Sequence, residues 1–294
     1  MFRHVTSARC LTAALILSAS LFTHHAYSQD GRQSVASRPE PLGTVQTVDP
    51  ELDKILMAWE QRSTQVAKVK GEFKRIVYDQ VFQTAKCAVG RYAYESPDRG
   101  RMDFAPDPNV KPDSPPAERG GVKFAVQADE SKWWICDGEQ ILDIDPVKKE
   151  YSRVTIPPRY RGRNISDGPL PFLFGMSAEK IKKRYSMKLG SMHDPEKIVH
   201  IVAYPLNPSE QQEYRVAEVL LDPVNFLPKA IQLADTSGNK QTVYIFTKHE
   251  RPSLEFLQSN PYKPMLLGYT LLHDKEADAP LDRESKKNDG ILVR

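Results

Sequence analysis

The chain has 294 residues, 40% hydrophobic and 27% charged, with 41 Lys and Arg against 38 Asp and Glu, a formal charge of +3. This composition is ordinary for one large or two modest globular domains, and the length suffices to bury a core without a disulfide framework. The small basic excess is interleaved with acids and forms no basic stripe, which speaks against nucleic acid as a partner.

Residues 1–28 read as a secretory signal peptide. Arg3 and Arg9 supply a positive start, Cys10–Phe22 a short apolar stretch, and Ala26-Tyr27-Ser28 a small-x-small cleavage pattern. The apolar stretch falls short of the roughly 20 residues needed to span a bilayer. Cleavage after Ser28 is expected, giving a periplasmic or otherwise exported chain that starts at Gln29 and has no membrane-spanning segment. Loss of Arg3 and Arg9 lowers the formal charge by two, to +1. Residues 29–48 are polar, contain Pro39 and Pro41, and are expected to be a disordered leader.

Asp49-Pro50-Glu51 is a helix start, with Asp as cap, Pro at the first helical position and an acid in the first turn. Leu52, Ile55, Leu56, Trp59, Val66 and Val69 follow helical spacing, which predicts an amphipathic helix over about 50–67. Strand-like runs follow at 73–78, 85–94 and 99–104. Residues 105–121 hold five prolines and two glycines and read as a loop insertion within a sheet. Strands resume at 122–128, 132–136, 140–144 and 151–156. A second helical patch contains Leu170 and Phe172-Leu173-Phe174, then 178–185. The remainder is again β, at 198–204, 214–221, 227–233, 242–246 and 266–272. Asp222–Asn225 and Ser237–Asn239 look like hairpin turns. The tail, 274–294, is charged and expected to be disordered. Short breaks between strands imply antiparallel neighbours. The fold class is therefore α+β: one extended antiparallel sheet over 49–273, with a few helices covering one face.

Catalytic and metal motifs are missing from this pattern. The mature histidines, His193, His200, His249 and His273, show no metal-ligand spacing, and His193-Asp194 reads as a solvated loop. There is no Cys-x-x-Cys, nucleophile elbow, P-loop or dinucleotide fingerprint. Asp143 and Asp145 fall on one strand face, where a solvated surface is the ordinary reading. No cofactor or metal is expected, and no enzyme. Cys87 and Cys136 are expected to stay unpaired, because the strands carrying them lie at least two places apart in the meander.

Several segments, in order across about 50–272, resemble the LolA/LolB family of periplasmic lipoprotein carriers. They resemble most narrowly the exported LolA-like domains of planctomycete bacteria. The matching pieces are the N-terminal amphipathic helix, Lys70-Gly71-Glu72-Phe73, Gly90-Arg91-Tyr92-Ala93-Tyr94-Glu95-Ser96-Pro97, Cys136-Asp137-Gly138 with Pro146, and Pro171-Phe172-Leu173-Phe174. The resemblance implies an incomplete antiparallel β-barrel whose concave side is covered by helices, with an acyl-chain cavity between them. The partner would be the acyl chain of a lipoprotein or lipid. Leu52, Ile55, Leu56 and Trp59, with Phe172, Leu173 and Phe174, would form the lid. Phe73, Tyr92 and Tyr94 would form the wall. For any single one of these residues, ordinary core is the commoner reading and ligand contact the other. The family places an Arg before the Pro that closes the second strand, and this chain has Ser96 there, which weakens the case for a receptor-to-receptor hand-off. The alternative reading is an envelope interaction or scaffold protein that keeps the fold without a ligand. In that reading one of the adjacent Trp133 and Trp134, which must face opposite sides of a strand, is a contact anchor on the outer face or a partly buried surface residue.

Overall fold

The computed structural model describes residues 49–158, 161–162, 177–253, 256 and 258–276. The signal peptide, the leader, Phe172, Leu173, Phe174 and the tail beyond Glu276 lie outside them. Helix α1 spans Pro50–Thr64. The Asp49 side chain caps it by accepting the Glu51 N–H at 2.8 Å, as the Asp-Pro-Glu start predicts. The helix stops three residues short of the expected end: Val66 packs beside the core and Val69 is already strand.

Strands β1 (Lys68–Asp79), β2 (Thr84–Glu95) and β3 (Arg99–Pro106) follow as a meander. The Pro-rich insertion carries a short strand, β4 (Ala117–Arg119), paired with β5 (Val122–Ala128). Next come β6 (Lys132–Asp137), β7 (Gln140–Asp145) and β8 (Glu150–Thr155). Helix α2 (Ala178–Arg184) runs straight into β9 (Tyr185–Leu189), and β10 (Val199–Pro205) leads to a one-turn helix, α3 (Pro208–Glu213). The last strands are β11 (Val216–Leu221), β12 (Pro228–Ala234), β13 (Lys240–Glu250) and β14 (Thr270–Glu276).

All strands join one open sheet in the order β14-β8-β7-β6-β3-β2-β1-β13-β12-β11-β10-β9, with β5 added beside β2 and β4 beside β5. The sheet does not close, so the architecture is an incomplete barrel with few helices. Two pairings depart from the expected antiparallel pattern: β5 runs parallel to β2, and β14 parallel to β8. Both follow long connections, which free a strand to arrive in either direction. Strand β14 begins four residues later than expected and carries the chain three residues into the expected tail.

Both faces of the sheet are covered. On the inner face, α1 and α2 bury Leu52, Leu56, Trp59, Ala178 and Ile181 against side chains from β1, β2, β3 and β9–β13. On the outer face a second core gathers Ala93, Ile135, Leu142, Ile144 and Tyr262, with Phe256, Leu266 and Tyr269 of the segment before β14 packed on it. The adjacent tryptophans divide between the two: Trp134 packs on the inner core and Trp133 on the outer. Cys87 and Cys136 are free; β3 lies between their strands, and by register they point to opposite faces.

Candidate binding site

The inner face is built around two glycine–aromatic pairs. Gly71 of β1 stands opposite Tyr92 of β2, and Phe73 opposite Gly90. Each ring lies across the glycine it faces. A Cβ at Gly71 would strike the Lys248 carbonyl and come within 2.6 Å of the Tyr92 ring, and one at Gly90 would strike the Phe73 ring and the Asp103 carbonyl. Glycine in these strand interiors gives up packing of its own so that a neighbouring ring can lie flat. Phe73 then sits edge-on to Phe104 with ring centroids 5.1 Å apart, and Tyr92 edge-on to Phe246 at 5.5 Å.

Of the residues named from the sequence, Leu52, Leu56, Trp59, Phe73, Tyr92 and Tyr94 meet in this one core, and Ile55 packs at its edge. All six of the core residues are at most 8% exposed. The residues expected to form lid and wall therefore belong to one buried core, filled by their own side chains. Phe172, Leu173 and Phe174 fall outside the described residues.

Polar contacts hold α1 at its rim. Lys182 Nζ meets Asp53 at 2.6 Å, Glu60 accepts the Ala178 N–H at 3.0 Å, and His193 Nε2 lies 3.2 Å from Glu51. His193 is thus spent on the helix. Asp194 accepts from Lys197 and from the Glu196 N–H, so the His193-Asp194 pair is structural. Among the described residues no cluster of three or more His, Cys, Asp or Glu could hold a metal, and no helix is long and apolar enough to cross a membrane. Asp143 pairs with Lys132 at 2.8 Å, while Asp145 accepts the Val147 and Lys148 N–H groups of the following turn.

Polar groups also face this side. The Tyr92 hydroxyl and His249 Nδ1 are hydrogen-bonded, and His249 Nε2 donates to the Pro228 carbonyl at 3.0 Å. Since that carbonyl can only accept, Nε2 carries a proton; in the neutral imidazole Nδ1 is then the acceptor of the Tyr92 hydroxyl. Burial holds His249 below its ordinary value, opposed by the Pro228 hydrogen bond. Further along β1, Arg75 pairs with Asp129 at 2.6 Å and lies 4.2 Å over the Phe104 ring.

Sequence reasoning missed a second concavity, on the outer face. It is a groove of about 870 Å³ that crosses β13, β1, β2, β3 and β6 and ends at Pro146 and Val147 in the β7–β8 turn. The available signal was that alternation fails in β6 and β7, where Trp133 and Trp134, and Ile141 and Leu142, place apolar side chains on both faces.

No family model matches the chain, and no curated protein matches it. Solved structures with a similar arrangement include an uncharacterised conserved protein from Thermus thermophilus, 10% identical over 76% of this chain and 99% of that one, TM-score 0.40. A LolA superfamily protein from Nitrosomonas europaea is 7% identical over 70% and 96%, TM-score 0.32. MucB in its Pseudomonas aeruginosa complex with MucA is 12% identical over 70% and 60%, TM-score 0.36. At such scores the likeness carries no weight for function, which rests on the residues themselves.

Proposed function

We propose that this chain is an exported, non-enzymatic binding protein that takes up the acyl chain of a lipid or lipidated protein between α1 and the inner face of the sheet. The observation that carries the reading is how α1 is held: one stripe of three buried side chains, with polar clips only at its solvent-facing rim. Lifting the helix uncovers Phe73, Tyr92 and Tyr94 together. Exposing Leu52, Leu56 and Trp59 costs about 2–3 kcal/mol each. Burying a sixteen-carbon chain returns roughly 12 kcal/mol at about 0.8 kcal/mol per CH₂, less the cost of association, so exchange of helix for ligand is nearly balanced and reversible. Ile55, Phe172, Leu173 and Phe174 are assigned to the same cover.

The interaction-scaffold reading has its own support in the closed inner core, which needs no ligand to be filled. Titrating the mature chain, from Gln29 on, with a fluorescent sixteen-carbon fatty acid separates the two. The carrier reading expects saturable uptake. It also expects faster uptake at unchanged melting temperature when Glu60→Ala and Lys182→Ala release the rim, and loss of uptake in a still-folded Phe172→Glu variant. A wild type that takes up no probe leaves the scaffold reading standing.

A further inference from the structure

The outer groove is floored by side chains in register. Glu72, Arg91, Asp103 and Trp133 stand side by side on β1, β2, β3 and β6. One step along the strands, Lys74 and Val89 form a parallel row with Ala105. Walls rise on both sides. On one, Lys70 lies under the Phe256 ring and Arg101 donates to the Pro261 carbonyl at 2.7 Å. On the other, Tyr78 is covered by Phe124 and Arg119 of the β4–β5 hairpin. The trough is thus a strip of sheet left bare between two packed segments.

Its charges are unevenly matched. Asp103 is engaged by Arg101 at 2.8 Å. Arg91 stands between Glu72 and Asp103 in the register. Lys74 is flanked by Val89 and Ile245 and makes no ion pair among the described residues. The opposite end is apolar, formed by Trp133, Pro146 and Val147, and Val147 is 76% exposed.

We infer that this groove binds a short extended peptide segment of a partner protein, with an acidic residue at Lys74 and an apolar or aromatic residue four positions along at Trp133 and Val147. The dimensions admit that spacing. Lys74 and Trp133 are three strands and two residues apart, about 16 Å at roughly 4.8 Å per strand and 3.4 Å per residue. Four residues of extended chain cover about 13 Å, the flexible Lys74 stem reaches across the rest, and the even number returns the side chain to the same face. An alkyl chain suits the floor poorly, because it would desolvate Glu72 and Arg91 without replacing their hydrogen bonds, whereas a peptide backbone offers donors and acceptors to both. The inference is independent of the inner face and of its ligand.

A random heptapeptide display selection against the mature chain tests it, with Lys74→Glu and Val147→Asp as counter-selections. Both substitutions lie on exposed side chains, and unchanged melting curves verify their folds. The expected result is enrichment of peptides with Asp or Glu four positions from Phe, Trp or Leu. Lys74→Glu should weaken a selected, labelled peptide by about tenfold and shift the enriched residue to Lys or Arg. Val147→Asp should weaken it without changing the charge preference. Absence of enrichment, another spacing, binding indifferent to residues 74 and 147, or displacement of the peptide by phosphatidylglycerol vesicles would overturn the assignment, the last in favour of a lipid surface.

Discussion

Tyr92 reaches His249 because Gly71 leaves the strand between them bare, so a single missing side chain lets a tyrosine hydroxyl meet a half-buried imidazole. The His249 value is depressed in the fold from an ordinary 6.5, with burial as the main cause. The unfolded chain therefore binds the extra proton first as pH falls. The contribution of His249 to stability is fully present above about pH 6.5, is lost as pH drops from there to the folded value, and is level below it. Urea unfolding at a series of pH values should show this decline, and an NMR titration of the His249 ring should place its midpoint below 6.5. Tyr92→Phe leaves Nδ1 an unpartnered acceptor, at a cost of about 1–2 kcal/mol at pH 8. The same variant should show a shallower pH dependence, because protonation then removes an unsatisfied acceptor. A Tyr92→Phe profile parallel to the wild type would detach the pH dependence from this pair.

Elements whose local chemistry points one way were legible in the sequence. Asp49-Pro50-Glu51 announced α1, and the family resemblance grouped Phe73, Tyr92 and Tyr94, which do share the inner core. Elements that depend on partners were not. Strand β9 follows α2 without a breaker, and Lys182-Lys183-Arg184-Tyr185 reads on as helix. Helix α3 is polar throughout; its place comes from the Arg184–Glu210 pair and from Gln211 donating to the Pro205 carbonyl at 2.9 Å. In the outer cover, Phe256, Tyr262, Leu266 and Tyr269 follow no period, so the groove they border was invisible. Arg75 and Asp129 show the same dependence at the junction of β1 with the β5–β6 connection. Both are largely buried, and Arg75 Nε has no hydrogen-bond partner among the described residues. Removing Asp129 leaves Arg75 with the Tyr244 hydroxyl but without its counter-ion, so Asp129→Ala should cost about 3–5 kcal/mol in urea unfolding. Replacing both, as Arg75→Met with Asp129→Leu, should restore most of that loss. A double variant as unstable as the single would mean that the pair holds the insertion in place by geometry and not merely by mutual neutralisation.

At the scale of the molecule, the inner face of the open sheet is covered and the outer face partly so, and the two covers differ in kind. The inner one is helical, amphipathic and clipped at its rim; the outer one is irregular chain held by a few large side chains. Tyr262 is the deepest of these at 2% exposure, and its hydroxyl is buried without a hydrogen-bond partner among the described residues. Burial also holds the phenol above its ordinary pKa. An unsatisfied hydroxyl costs about 1–3 kcal/mol, while the ring contributes by packing against Ala93, Ile135, Leu142 and Ile144. Ring and hydroxyl should therefore act in opposite directions. Tyr262→Phe is expected to leave stability unchanged or raise it by about 1 kcal/mol. Tyr262→Ala should lower it by about 3–5 kcal/mol and expose a dye-binding apolar surface on the outer face. Paired urea melts read both. A Tyr262→Phe variant destabilised by more than about 1 kcal/mol would mean that the hydroxyl is satisfied, and that the outer cover is fastened by a specific hydrogen bond as well as by its apolar side chains.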